Sequence, residues 1–190
     1  MGPRQGLHGR DLASARRGAQ VHEPVALAQA RDRPGPRLGT RGGCGLAAGC
    51  DLVVASDDAV FGLPEIKVGL LPLMVMAPIL RSVGRKRGLL MVLSGENVTA
   101  REAFEMGLVS RVVARADLEG ETTALARRLA GFRPTALGVV KEAFYTIQDM
   151  EYGKSLHYLR ELITLVALSD DAREGIAAFF DKRPPRWTGR

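Results

Sequence analysis

The sequence predicts an α/β core followed by an all-α region, with a leading stretch that belongs to neither. Three observations carry that expectation. Between residues 41 and 115, short apolar runs alternate with helical patterns; from residue 117 onward the patterns are helical alone; and residues 1–40 show neither period. A chain of 190 residues, 46% hydrophobic and 25% charged, is long enough to bury a core and ordinary in composition for a globular protein.

The expected organisation is therefore residues 1–40 as an Arg/Gly/Pro/Ala-rich segment, 41–115 as a partial core, and 116–190 as a helical region. The first segment lacks Phe, Tyr, Trp, Ile and Lys, so it offers no face to bury and is expected to be disordered or non-native. A basic arm for an anionic partner is one alternative. Out-of-frame translation of GC-rich coding DNA would give the same bias, and it is the reading adopted. This segment also carries +4 of the net charge of +6, and the rest is nearly balanced, with no basic stripe interleaved with aromatics. A nucleic-acid partner is not expected. Charges interrupt every apolar run, so neither a membrane span nor a secretory signal is read. Cys44 and Cys50 form no C-x-x-C motif, and two packed thiols in a reducing cytoplasm are expected.

Taken in order, Cys44 to Cys50 suits a short helix of small residues. Leu52 to Ala55 reads as a buried strand, and Val60-Phe61-Gly62 as another before the Pro64-Glu65 turn. Pro78 suits a first helical turn, followed by Ile79, Leu80 and Val83. Lys86 to Leu93 continues as a helix. Thr99-Ala-Arg-Glu102 reads as a capping box, Gly107 as a stop, and Leu108 to Val113 as a strand. One helix follows from Asp117, another begins at Pro134, and a third carries Leu156, Leu159, Ile163 and Val166 as its apolar stripe. Asp171 to Glu174 is expected to cap the last, which runs to Phe179-Phe180 before Pro184-Pro185 stops it.

Few residues offer chemistry. Gly42-Gly43 precede a helix whose first amides suit an anion, although on spacing alone a plain glycine turn before a packed helix is the preferred reading, since a glycine pair is a weak motif. Glu65 lies among apolar residues, which suits a carboxyl to proton transfer; turn capping or pairing with Lys67 is the alternative. Leu70 to Met76 is an apolar cluster fit either for an acyl pocket or for core. His157 reads as structural, and His8 and His22 have no evident partners. No Ser/His/Asp grouping, metal-ligand spacing or phosphate loop is present.

Four stretches in order resemble the crotonase superfamily of enoyl-CoA hydratases and isomerases. They are Gly42-Gly43-Cys44 with Cys50 to Ala55; Phe61-Gly62-Leu63-Pro64-Glu65 with Gly69; Ser94 to Val112; and Ser169 to Pro184. The resemblance implies a spiral of ββα turns, here incomplete, followed by C-terminal helices that trimerise. It implies acyl-CoA substrates of fatty acid metabolism, no cofactor beyond the coenzyme A the substrate carries, and trimers or dimers of trimers. By carry-over, Gly42 or Gly43 would donate to the thioester oxygen and Glu65 would move protons. Lys182 would approach the CoA phosphates from a neighbouring subunit, and Leu73, Met74 and Met76 of the apolar cluster would line the acyl-chain pocket. Two-glutamate hydratases carry a second acid where this chain has Gly45, and their glycine-rich segment is replaced by Leu73 to Met76. The first core strands have no counterpart in residues 1–40, so the strands in 52–62 are expected to lack partners. A non-catalytic subunit that assembles with intact relatives is the alternative function.

Overall fold

The computed structural model describes residues 27–30 and 43–189, which divide into two compact units, Val25–Arg128 and a C-terminal unit from Leu129. The first is built on β2 (Leu52–Ser56), whose Val54 and Ala55 are wholly buried. On one side β2 pairs in parallel with β1 (Leu27–Ala30), Leu27 opposite Leu52; on the other it pairs in parallel with β5 (Arg111–Val113), Val54 opposite Arg111. β3 (Val60–Gly62) and β4 (Asn97–Thr99) form a separate antiparallel pair, Phe61 opposite Val98.

These three pairings correct the expectation that strands in 52–62 lack partners. Leu27-Ala28-Gln29-Ala30 holds no β-branched or aromatic residue and so carries no local strand signal. Its conformation is set by the β2 ladder beside it. The rest of the segment expected to be disordered lies outside the described residues.

The helices of this unit are α1 (Gly43–Ala48), α2 (Leu73–Val83), α3 (Arg85–Ser94), α4 (Ala100–Glu105) and α5 (Leu118–Ala130), whose last turn crosses the unit boundary. The α4 capping box forms as expected. Thr99 Oγ1 accepts from the Glu102 amide at 3.2 Å, and the Thr99 amide donates to Glu102 Oε2 at 2.7 Å. Pro78 does not open its helix. Pro72 stands at the N-cap of α2 and Pro78 falls inside it, where its missing N–H leaves the Met74 carbonyl without a helical donor. Leu108 and Val109 do not extend β5, because their amides turn back to the Ala103 carbonyl at 2.9 and 3.2 Å to close α4. The core between sheet and helices includes five alanines, Ala47, Ala55, Ala59, Ala100 and Ala103, which permit close approach of the elements.

The C-terminal unit holds α6 (Pro134–Ile147), α7 (Tyr152–Ala167) and α8 (Asp170–Phe180). Its last helix is capped by Ser169, whose Oγ accepts from the Ala172 amide at 3.2 Å, rather than by Asp171. Asp171 is turned inward instead. It forms an ion pair with Arg133 at 2.9 Å and accepts from the Thr188 amide and hydroxyl and the Gly189 amide. The stripe read on α7 is only partly covered: Leu159 and Val166 are half-buried, whereas Leu156 and Ile163 are exposed.

Candidate active site

Glu65 is the second residue of a 3-10 turn, Pro64–Val68. Pro64 fixes the entry and Leu63 anchors it in the core. Gly69 ends the turn in the left-handed region (φ 74°), and the Leu70 amide returns to the Glu65 carbonyl at 3.0 Å. Behind it, Gly95 closes α3 at φ 61°. A methyl group added there would lie 2.8 Å from Ile66 Cγ2 and 3.2 Å from Lys67 Cε, so glycine lets α3 press against the residues that follow Glu65. The side chain of Glu65 is half-buried, and its Oε2 is buried with no hydrogen-bond partner among the described residues. A buried carboxylate oxygen left unpaired is costly, and such groups concentrate where a ligand or a reacting proton completes them.

Cys44, the second residue of α1, places its thiol beside this turn. Burial pushes the thiol up to about 11, the Gly62 amide pulls in the opposite direction, and the Glu65 charge adds to the rise. The thiol is therefore inert near neutral pH and serves as packing. The preceding Gly43 is exposed, and the space a Cβ would take there is open, so its backbone is approachable from outside. Gly42 lies outside the described residues. Gly45 differs from Gly43: a methyl group there would lie 2.2 Å from Val75 Cγ1 and 3.0 Å from Val75 Cβ.

The remaining expected residues are spread out. Leu73 and Met74 begin α2 and point to solvent, Met74 being 89% exposed, while Met76 is half-buried against the core that includes Cys44 and Ala47. Lys182 belongs to the C-terminal unit, is exposed, and holds a positive φ of 53° just after α8. Among the described residues no cluster of three His, Cys, Asp or Glu is placed to hold a metal, and no helix is long and apolar enough to cross a membrane.

The sequence pattern of enoyl-CoA hydratase/isomerase matches residues 38–190. This chain belongs to the enoyl-CoA hydratase/isomerase family. Among curated proteins, "2,3-dehydroadipyl-CoA hydratase" of Escherichia coli is 43% identical over 150 residues, 78% of this chain and 58% of that protein. "Probable enoyl-CoA hydratase echA8" of Mycobacterium leprae is 39% identical over 173 residues, 90% of this chain and 65% of its own length. A solved enoyl-CoA hydratase of Mycobacterium smegmatis superposes with a TM-score of 0.74 at 32% identity, over 85% of this chain and 59% of that one. The architecture is thus an incomplete crotonase-like α/β core followed by C-terminal helices.

This member of the enoyl-CoA hydratase/isomerase family spans about three fifths of the length of those relatives. A match over 173 residues also reaches back before residue 41, which corrects the expectation that nothing in the first 40 residues belongs to the family pattern. Two residues escaped sequence reasoning. Gly95 falls within the Ser94 to Val112 stretch without being read as a helix end, although its place directly after a helical run marks a left-handed cap. Val75 was read as one of a group of apolar residues, and nothing local tells that it meets Gly45, 30 positions away.

Proposed function

We propose that this chain acts on enoyl-CoA thioesters, with Glu65 as the group that moves the proton. The observation that carries the reading is the buried, unpartnered Oε2 of Glu65, in a chain whose relatives are named as hydratases of CoA esters. The carbon next to a thioester carbonyl is acidified by that carbonyl. Glu65 would take a proton from it, the electron pair would pass to the thioester oxygen, and the same carboxyl would return the proton elsewhere on the chain. The open amide of Gly43 is offered as one donor to that oxygen, with Gly42 beside it; such a donor is worth ~10²–10³ in rate. The coenzyme enters as the carrier of the substrate, with Lys182 of a neighbouring subunit offered to its phosphates and Leu73, Met74 and Met76 to the acyl chain. With Gly45 in place of a second acid, double-bond migration is favoured over hydration.

Glu65→Gln is expected to reduce turnover of an enoyl-CoA by about 10²-fold or more while leaving CoA-ester binding within a few-fold. Unchanged turnover removes Glu65 from the reaction. A second reading, a non-catalytic subunit that assembles with intact relatives, is favoured by the exposed apolar side chains Ile163, Ile176, Phe179 and Phe180. Co-purification with a longer relative, without turnover, supports it.

A further inference from the structure

One short segment touches the chain on both sides of Glu65. Gly95 ends α3 and is buried, and the space its Cβ would take lies 2.8 Å from Ile66 Cγ2 and 3.3 Å from Lys67 Cγ, just after Glu65 in its turn. Two residues on, Asn97 stands opposite Gly62 in the β3–β4 pair, just before Leu63, and a Cβ at Gly62 would lie 2.2 Å from Asn97 Oδ1. The rest of the turn has little freedom. Leu63 is buried at its entry, Pro64 fixes the backbone there, and at its exit the Gly69 amide bonds back to the Ile66 carbonyl at 3.2 Å. The Glu65 carboxyl itself has no such support, since its buried Oε2 has no hydrogen-bond partner among the described residues. Where that oxygen stands is therefore set by the backbone that carries it.

We propose that Gly95 is a positioning residue for Glu65: lacking a side chain, it lets the end of α3 seat the Ile66 side of the turn, and so fixes where the carboxyl meets its substrate. The proposal rests on the reading of Glu65 given above. Ile66 Cγ2 is a branch on Cβ, close to the backbone, and cannot swing away as the far end of a lysine can. A side chain at position 95 would push Ile66. With the entry and exit of the turn held, the peptide that Ile66 shares with Glu65 must then rotate. A carboxyl that takes and returns a proton on carbon needs its place held to about 0.5 Å, and a misplacement of about 1 Å can cost ~10²-fold in rate. Binding of the coenzyme ester makes no such demand on that oxygen, so the effect falls on kcat and not on KM.

Position 95 is also left-handed (φ 61°), so a substitution there carries backbone strain, and Gly84 supplies the control: its φ is 75° and a Cβ there would meet nothing within 4 Å. Gly84→Ala and Gly95→Ala are both expected to lower Tm by a few degrees. Only Gly95→Ala is expected to lower kcat for an enoyl-CoA, by about tenfold or more with KM within about threefold; adding Ile66→Leu, which removes the branch on Cβ, restores most of the loss. Equal kcat in the two single variants, or no recovery in the double, overturns the positioning role. Ile66→Ala, free of backbone strain, covers the case in which Gly95→Ala does not fold. It removes the same contact from the other side and is expected to lower kcat about threefold or more, and an unchanged kcat overturns the role. Crystal structures of the unsubstituted protein and Gly95→Ala give a readout that needs no turnover: the Glu65 carboxyl is expected to shift by about 0.5 Å or more, and an unmoved carboxyl overturns the proposal. Full turnover in Glu65→Gln, or none in the unsubstituted protein, sinks the Glu65 reading and the effect on kcat with it, whereas the crystal structures decide the seating of the turn by themselves.

Discussion

Lys182 adopts a backbone conformation that side chains disfavour, and the hydrogen bonds around it explain why. The Arg183 amide reaches back to the Ala178 carbonyl at 3.0 Å and the Lys182 amide to the Phe179 carbonyl at 3.3 Å, the double closure of a Schellman motif. That motif demands a left-handed residue just past the cap, and lysine pays for the position with local strain (φ 53°). Lys182→Gly is expected to raise stability by about 0.5–1 kcal/mol, read as a rise of roughly 2–4 °C in Tm. At this scale the sequence was readable where chemistry is local. Glu65 on its proline-led turn could be picked out because flanking residues define both turn and surroundings. The Gly45–Val75 contact could not, since it depends on how closely two helices approach.

At the scale of elements, Asp171 binds the C-terminal tail to the start of α8. The Thr188 amide is the chief cause that holds its carboxyl below the ordinary value, aided by the Thr188 hydroxyl, the Gly189 amide and Arg133. Because the folded value is depressed, this stabilisation is complete above the usual carboxylate range and is lost as pH falls through the lower, folded value. Trp187, the sole tryptophan, reports on the docking: its Nε1 donates to the Gly131 carbonyl at 3.3 Å and its ring lies against Gly175. Asp171→Asn is expected to red-shift Trp187 fluorescence near neutral pH, and the unsubstituted protein to show the same shift only in acid, below pH 3.8. A spectrum insensitive to both changes contradicts the latch. Arg183 acts similarly on Glu174, holding its carboxyl down to about 2. Helix ends marked by Pro134, Gly107 and Thr99 were legible, because capping uses neighbours in sequence. Asp171 was misread as a cap because its partners, Arg133 and Thr188, lie far along the chain. Pro78 was misread because Pro72, six residues earlier, already supplies the entry to α2.

For the whole molecule, the α8 face is the salient feature. Phe179 and Phe180 are 79% and 76% exposed, and Ile163, Leu165 and Leu168 on and after α7 are similarly open. Uncovered apolar area of this kind is unusual on a soluble monomer. Light scattering is expected to give a mass above that of one chain, and Phe179→Ser/Phe180→Ser to shift it toward the monomer; a strictly monomeric unsubstituted protein contradicts this. The class of fold was legible in the alternation of short apolar runs with helices, and the helix-only end was plain from residue 117. β1 was illegible, because four residues without a branched side chain become a strand only through the partner they find. The partners of β2 lie 25 residues before it and 57 after it, at Leu27 opposite Leu52 and Arg111 opposite Val54. Closing such loops is entropically slow compared with winding a helix. During synthesis the second edge of the central strand therefore waits until roughly sixty further residues have emerged, and it stays open to rival chains for that interval.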